Sequence, residues 1–227
     1  MAVDKLFKKQ VIEDWQLAFP QLTKFSQDKI YKTVGPVVMG IELVKLPYTD
    51  EYRPHFVIYP LWKEGIAKTL DIPIVLMQYY NDKRLQLNIA YDRHSTILHE
   101  AVELIIKQTP ISFTGDIMLE DLLSVLNDYS KIPPLSAAPN SFSQASLWAD
   151  KLKIALYISK DRAKRLLDEI EKKQWDQKSF HNRNITIQSW LTSLNEIISN
   201  RADLIKQIEI NKQDKKIAKL ASSELVP

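Results

Sequence analysis

The hydrophobic period of this chain changes once, and that change constrains the fold more than any other feature. Between Val37 and Tyr91 apolar residues occur in short β-branched runs or alternate with polar ones; from Ser95 onward they recur at helical spacing. Period 2 puts successive side chains on opposite faces of a strand, and period 3.6 lines up one face of a helix. A block of strands followed by a block of helices defines an α+β chain. Four strands are predicted, over 37–46, 53–62, 74–80 and 84–91. The last places Leu85, Leu87, Ile89 and Tyr91 on one face and Arg84, Gln86, Asn88 and Ala90 on the other. The polar turn Asn81-Asp82-Lys83 joins it to the third strand as a hairpin, so the sheet is antiparallel with one face on a core and the other partly wet.

Helices flank this block. Leu6, Val11, Trp15 and Ala18 predict an amphipathic helix over 3–18, closed by Pro20, and the stretch through Phe25 and Tyr31 to Gly35-Pro36 reads as a transition. Ile97, Leu98, Ala101, Val102, Leu104, Ile105 and Ile106 predict a helix that stops at Pro110. Asp116 is placed to cap the next, carrying Leu119, Leu122, Leu123, Val125 and Leu126. Three prolines among small polar residues mark 133–141 as a linker, dividing a sheet domain (1–132) from a helical domain (142–227). Beyond it, helices are predicted over 142–158 and 160–175. A final long amphipathic helix follows from Thr186, with Ile187, Leu191, Leu194, Ile198, Arg201, Ile205 and Ile208 in heptad steps. Trp190, Ile197 and Leu204 widen that stripe, which favours a bundle within the chain, and Arg201 within it calls for a carboxylate such as Glu169 or Glu171. The predicted architecture is an antiparallel sheet of about four strands with covering helices, then a C-terminal helical bundle ending in a long amphipathic helix.

Composition excludes several kinds of chemistry. With 0 cysteines there is no disulfide, thiol nucleophile or thiolate metal site. Only 4 glycines occur, too few for a glycine-rich phosphate cradle. The N-terminal residues lack the apolar core of a secretory signal and no apolar run reaches membrane-spanning length, so a cytoplasmic protein without membrane contact is expected. Leu225-Val226-Pro227 reads as either a natural end or the remnant of an added protease site, and is set aside from the fold. Charge is uneven: 15 Lys and Arg against 18 Asp and Glu in residues 1–150 give −3, and 16 against 10 in residues 151–227 give +6. Acidic residues are interspersed with the basic ones, as on solvated helices, although a basic half can also meet nucleic acid.

Candidate sites follow from residue type and placement. Glu42, Arg53 and His55 can share the polar face of the sheet with Arg84, Gln86 and Asn88, a set suited to acid–base work or to binding. His99-Glu100-Ala101-Val102-Glu103 begins like a zinc-protease helix, with Glu103 where the second histidine should stand; His99 and Glu103 are thus the metal candidates, though an i, i+4 surface pair is the commoner outcome. Arg165, Lys172 and Lys173 are the basic binding candidates, and Trp175 beside them is expected to be exposed, whereas Trp15, Trp62, Trp148 and Trp190 read as packing residues. No nucleophile elbow, phosphate loop or paired zinc ligands occur, and no cofactor is expected. A helix, an antiparallel sheet and covering helices resemble the layout of small bacterial accessory and immunity-type proteins. The expected function is non-catalytic: binding a protein partner, or a second copy, as an immunity or complex subunit in the bacterial cytoplasm. The rival expectation is an enzyme or nucleic-acid-associated protein using the polar sheet face and the basic helices.

Overall fold

The computed structural model describes residues 5–227. Helix α1 (Lys5–Ala18) leads into strands β1 (Thr23–Lys24), β2 (Lys29–Val34), β3 (Val37–Lys45) and β4 (Glu51–Pro60). After a one-turn helix α2 (Ile66–Thr69) come β5 (Val75–Gln78) and β6 (Ile89–Ala90). The helices α3 (His94–Gln108) and α4 (Leu119–Tyr129) flank a short strand β7 (Ile117–Met118). Then α5 (Phe142–Ile158), α6 (Lys160–Glu171), α7 (Gln177–His181), α8 (Ile187–Ser199) and α9 (Arg201–Lys212) precede two short strands, β8 (Ala221–Ser223) and β9 (Leu225–Val226). The sheet is antiparallel in the order β1-β2-β3-β4-β5, with β6 also on β4. Strand β8 joins β2 in parallel, and β9 pairs β7 in parallel as a second, two-stranded sheet.

Alternation along β3 and β4 decides what each sheet face covers. Met39, Ile41, Leu43, Tyr52, Phe56 and Ile58 point to the inner face and pack with α1 (Val11, Ile12, Trp15), α3 (Ala101, Ile105) and α4 (Leu122, Val125, Leu126). Tyr31, Val38, Val57 and Tyr59 face outward, under Ile208 of α9, Ile217 and Leu220. Asn211 holds α9 there: its buried Nδ2 donates to the carbonyls of Leu61 (2.8 Å) and Lys63 (2.6 Å). A third cluster unites α5, α6 and α8 through Leu152, Leu156, Ala163, Leu167, Leu194 and Ile198. Helix α5 belongs to two of these cores, giving Leu147 and Ile154 to the inner sheet face and Leu152 and Leu156 to the helices. No single stripe describes it for that reason.

Several local expectations change. The stretch read as a transition contains β2, a strand flanked by β3 on one side and by β1 and β8 on the other. Lys32 obscures its alternation, because this buried lysine lies among inward-facing residues and donates to the carbonyl of Phe113 (2.7 Å) and to Ser223 Oγ. The strand expected over 84–91 shrinks to β6 and a lone Tyr80–Gln86 bridge. Its burial nonetheless alternates from Leu87 through Ile89 to Tyr91, while Leu85 at the hairpin tip is 62% exposed. Asp116 does not cap α4, since its Oδ1 accepts from the backbone N–H of Glu224 (2.9 Å). Glu120 and Asp121 in the first turn instead put negative charge at the helix N-terminus.

The heptad stripe from Ile187 to Ile208 is carried by two helices, α8 and α9, which break at Asn200. Arg201 opens α9 and finds no carboxylate among the described residues. Its Nε donates to the carbonyl of Leu156 (2.6 Å), and Nη2 donates to those of Tyr157 (2.6 Å) and Ile158 (3.3 Å), filling acceptors left open at the end of α5. The residues set aside at 225–227 belong to the fold, with Leu225 buried beneath the Gly35 turn. The proline-rich segment is tied down as well: Gln144 Nε2 donates to the carbonyls of Ser130 (2.7 Å) and Leu135 (3.0 Å).

Candidate functional site on the outer sheet face

Strand register builds the site. Lys29 lies opposite Glu42, Glu42 opposite His55, and His55 opposite Gln78, so one polar row crosses β2, β3, β4 and β5. The neighbouring row begins Tyr31–Gly40–Val57. Gly40 matters because a Cβ there would run into the Ile30 carbonyl and come within 2.9 Å of the Tyr31 ring. Without that side chain, the ring of Tyr31 lies across the strand.

Glu42 is the centre of the row. Its Oε1 accepts from the hydroxyls of Tyr31 and Tyr59 (2.8 Å) and from the Lys29 ammonium (3.1 Å). Burial and the adjacent Glu42 carboxylate push both tyrosine hydroxyls far above their usual range, so they stay protonated and keep donating. His55 is buried, and its Nδ1–H donates to the Arg53 carbonyl at 3.2 Å, which leaves Nε2 as the acceptor. Burial holds its imidazole below the ordinary value, with the Arg53 charge adding to that effect and the backbone bond and Glu42 opposing it. Arg53 Nε donates to Asn88 Oδ1 (2.8 Å), and Gln86 donates to Gln78.

Five of the six residues expected on the polar face therefore come together. Glu42 and His55 sit in the floor, Arg53 and Asn88 form a bonded pair beside them, and Gln86 continues the row through Gln78. Arg84 does not join them; it is exposed in the turn after Asn81-Asp82-Lys83, at φ 59°. Chemically this is a fixed carboxylate with its donors already in place, next to a neutral imidazole.

The other candidates lie elsewhere. His99 and Glu103 form a surface pair at 3.6 Å, with side chains 89% and 70% exposed, and no cluster of three or more potential metal ligands occurs among the described residues. Arg165, Lys172 and Lys173 are exposed, and the Lys173 ammonium stands 4.4 Å from the Trp148 ring centre. Trp175 departs from expectation. It is buried, its Nε1 donates to the Ile170 carbonyl (3.0 Å), and its ring meets Trp190 edge-on at 5.4 Å. Phe180 of α7 and Trp190 of α8 cover it.

Sequence reasoning missed a buried relay on the inner side. Trp15 Nε1 donates to Tyr52 Oη (3.0 Å), the Tyr52 hydroxyl donates to His94 Nδ1 (2.7 Å), and His94 Nε2 donates to Asp14 Oδ2 (3.0 Å). Asp14 and Trp15 come from α1, Tyr52 from β4 and His94 from α3, so the relay binds three elements together. The one sequence signal was a polar His94 ahead of an apolar helix. Compared with known protein families, curated proteins and solved structures, the chain finds no match. No helix among the described residues is long and apolar enough to cross a membrane.

Proposed function

We propose that this chain is a non-catalytic binding subunit that engages a protein partner through the open edge of its sheet. The observation that carries this reading is β5. Strand β5 ends the sheet order, and its residues Val75, Leu76, Met77 and Gln78 include no charge and no proline. Natural sheets guard such edges with charges, prolines or bulges, because the unpaired N–H and C=O groups recruit further strands. The flank of this edge is apolar: Leu76 and Tyr80 are each 43% exposed, and Ile72 and Leu85 are more so, while past β5 the Tyr80 backbone N–H and C=O are already bonded to the Gln108 side chain. A partner strand added there would gain main-chain hydrogen bonds from β5 and side-chain contacts from these residues. The polar row ends on the same strand at Gln78, so a strand added there would meet one polar side chain of that row beside the apolar ones.

The test is a double substitution, Leu76→Lys with Tyr80→Lys. Wild-type protein should retain a stoichiometric protein partner, or form a dimer by light scattering, and the variant should lose it with an unchanged melting temperature. Retention of the same species by the variant would overturn the reading. So would a basic-helix activity: binding to heparin or DNA that falls steeply with salt, as counterion release requires, and disappears when Arg165, Lys172 and Lys173 become Glu.

A further inference from the structure

Where β8 and β9 rejoin the sheet they wall a cleft of about 720 Å3, separate from the polar row and from the β5 edge. Its size is that of a small-ligand site. Helices α5 and α9 contribute Tyr157 and Lys212, the β7 side contributes Asp116, and the returning segment brings Ser222, Ser223 and Glu224. The shape depends on a glycine. Gly35 holds φ +50°, and a Cβ on it would stand 2.6 Å from Leu225 Cβ and 3.3 Å from Tyr157 Cε1.

Both signs of charge are fixed in this cleft. Lys212 Nζ donates to Glu209 Oε1 (2.9 Å) and to Tyr157 Oη (3.2 Å), leaving one N–H to spare, and Tyr157, which accepts that bond, keeps its own proton to donate. Burial works against the Lys212 ammonium, but the bonds to Glu209 and Tyr157 together outweigh it and hold it above its usual value. Asp116 spends Oδ1 on the Glu224 backbone N–H (2.9 Å), which frees Oδ2, and the Glu224 side chain is exposed. With Lys32 bonded to Ser223 and Glu209 bonded to Lys212, two ammoniums stand among three carboxylates around the lining, a balance that repels a compact dianion, while Lys212 disfavours a bare cation. A ligand that itself carries one group of each sign meets neither objection. The Ser222 and Ser223 hydroxyls also line the cleft; Ser223 Oγ accepts from Lys32 and keeps its own proton to donate to an amide carbonyl.

We propose that this cleft binds a short peptide with free termini, its carboxylate at Lys212 and Tyr157 and its ammonium at Asp116 and Glu224. Titration calorimetry on the full chain with trialanine tests it, alongside N-acetyl-trialanine and trialanine amide. Trialanine should bind saturably, and each blocked peptide should bind roughly tenfold more weakly or worse, since each loses a hydrogen bond to a charged group. In Lys212→Met the free acid and the amide should bind alike, and in Glu224→Gln the free and acetylated peptides should converge. Absence of saturable binding, equal affinity for blocked and free peptides on the wild-type chain, or binding of inorganic phosphate in preference to trialanine would each overturn the proposal. The comparison of blocked and free peptides on the wild-type protein stands even where a variant fails to fold.

Discussion

At the residue scale, both buried histidines report on proton linkage. Burial holds His94 below its ordinary value of 6.5, opposed by its bond to Asp14, and burial likewise lowers His55. The folded state therefore binds fewer protons than the unfolded chain once pH falls toward 6.5. Stability rises with pH wherever the unfolded state holds more protons. The contribution from these imidazoles is fully present above about 6.5 and is lost progressively on acidification below it. The melting temperature should hold level through neutral pH and decline between about pH 6.5 and 5, before most carboxylates titrate. His94→Gln should lower the midpoint at neutral pH and flatten that decline; an unchanged slope would show that His94 does not titrate in this window. Residue-scale features were the least legible in the sequence. Trp175 looked exposed because lysines flank it, yet its cover comes from Phe180 and Trp190, which only the fold brings near. Glu42 was visible as the one acid in an apolar strand, but its three donors lie on β2 and β4, and the register that unites them cannot be read without strand order.

At the element scale, long periodic segments were legible and their ends were not. The strands β3 and β4 and the helices α3, α5 and α6 lie close to where their apolar spacing puts them, since burial on a fixed face governs that spacing. The stripe from Ile187 to Ile208 shows the limit of that reasoning. Its spacing is continuous, but the backbone breaks at Asn200, and Arg201 just beyond the break serves α5 instead of a partner in its own stripe. Replacing Arg201 with Met should leave the last carbonyls of α5 short of donors and cost about 1–3 kcal/mol in chemical denaturation. Arg201→Lys should recover only part of that loss, because an ammonium lacks the planar fork that reaches three carbonyls at once. A loss no larger than that of an exposed substitution would show that solvent serves α5 equally well.

At the scale of the whole molecule, the segment 133–141 separates two stretches that the fold then reconnects. Helix α5 packs into the inner core, and β8 and β9 pair with β2 and β7. A protease nick within 133–141 should therefore yield two fragments that elute together and melt as one. Recovery of a stable, soluble 1–132 fragment on its own would establish that stretch as an independent folding unit. The sheet order itself was only half legible, since the parallel additions come from residues 221–226, whose short runs carry too little pattern to be read as strands.

The returning strand also has a consequence in time. The flank of β2 at Lys32, Thr33 and Val34 is completed by Ala221, Ser222 and Ser223, 189 residues later in the chain. On a ribosome adding about 5–20 residues per second, that flank stays uncovered for on the order of ten seconds or more after it emerges. During this interval the buried Lys32 lacks Ser223, and Gly35 lacks the side chain of Leu225. The nascent chain must pass through a period with a sticky, half-built rim, when chaperones or a stray strand from a neighbouring polypeptide could reach it first.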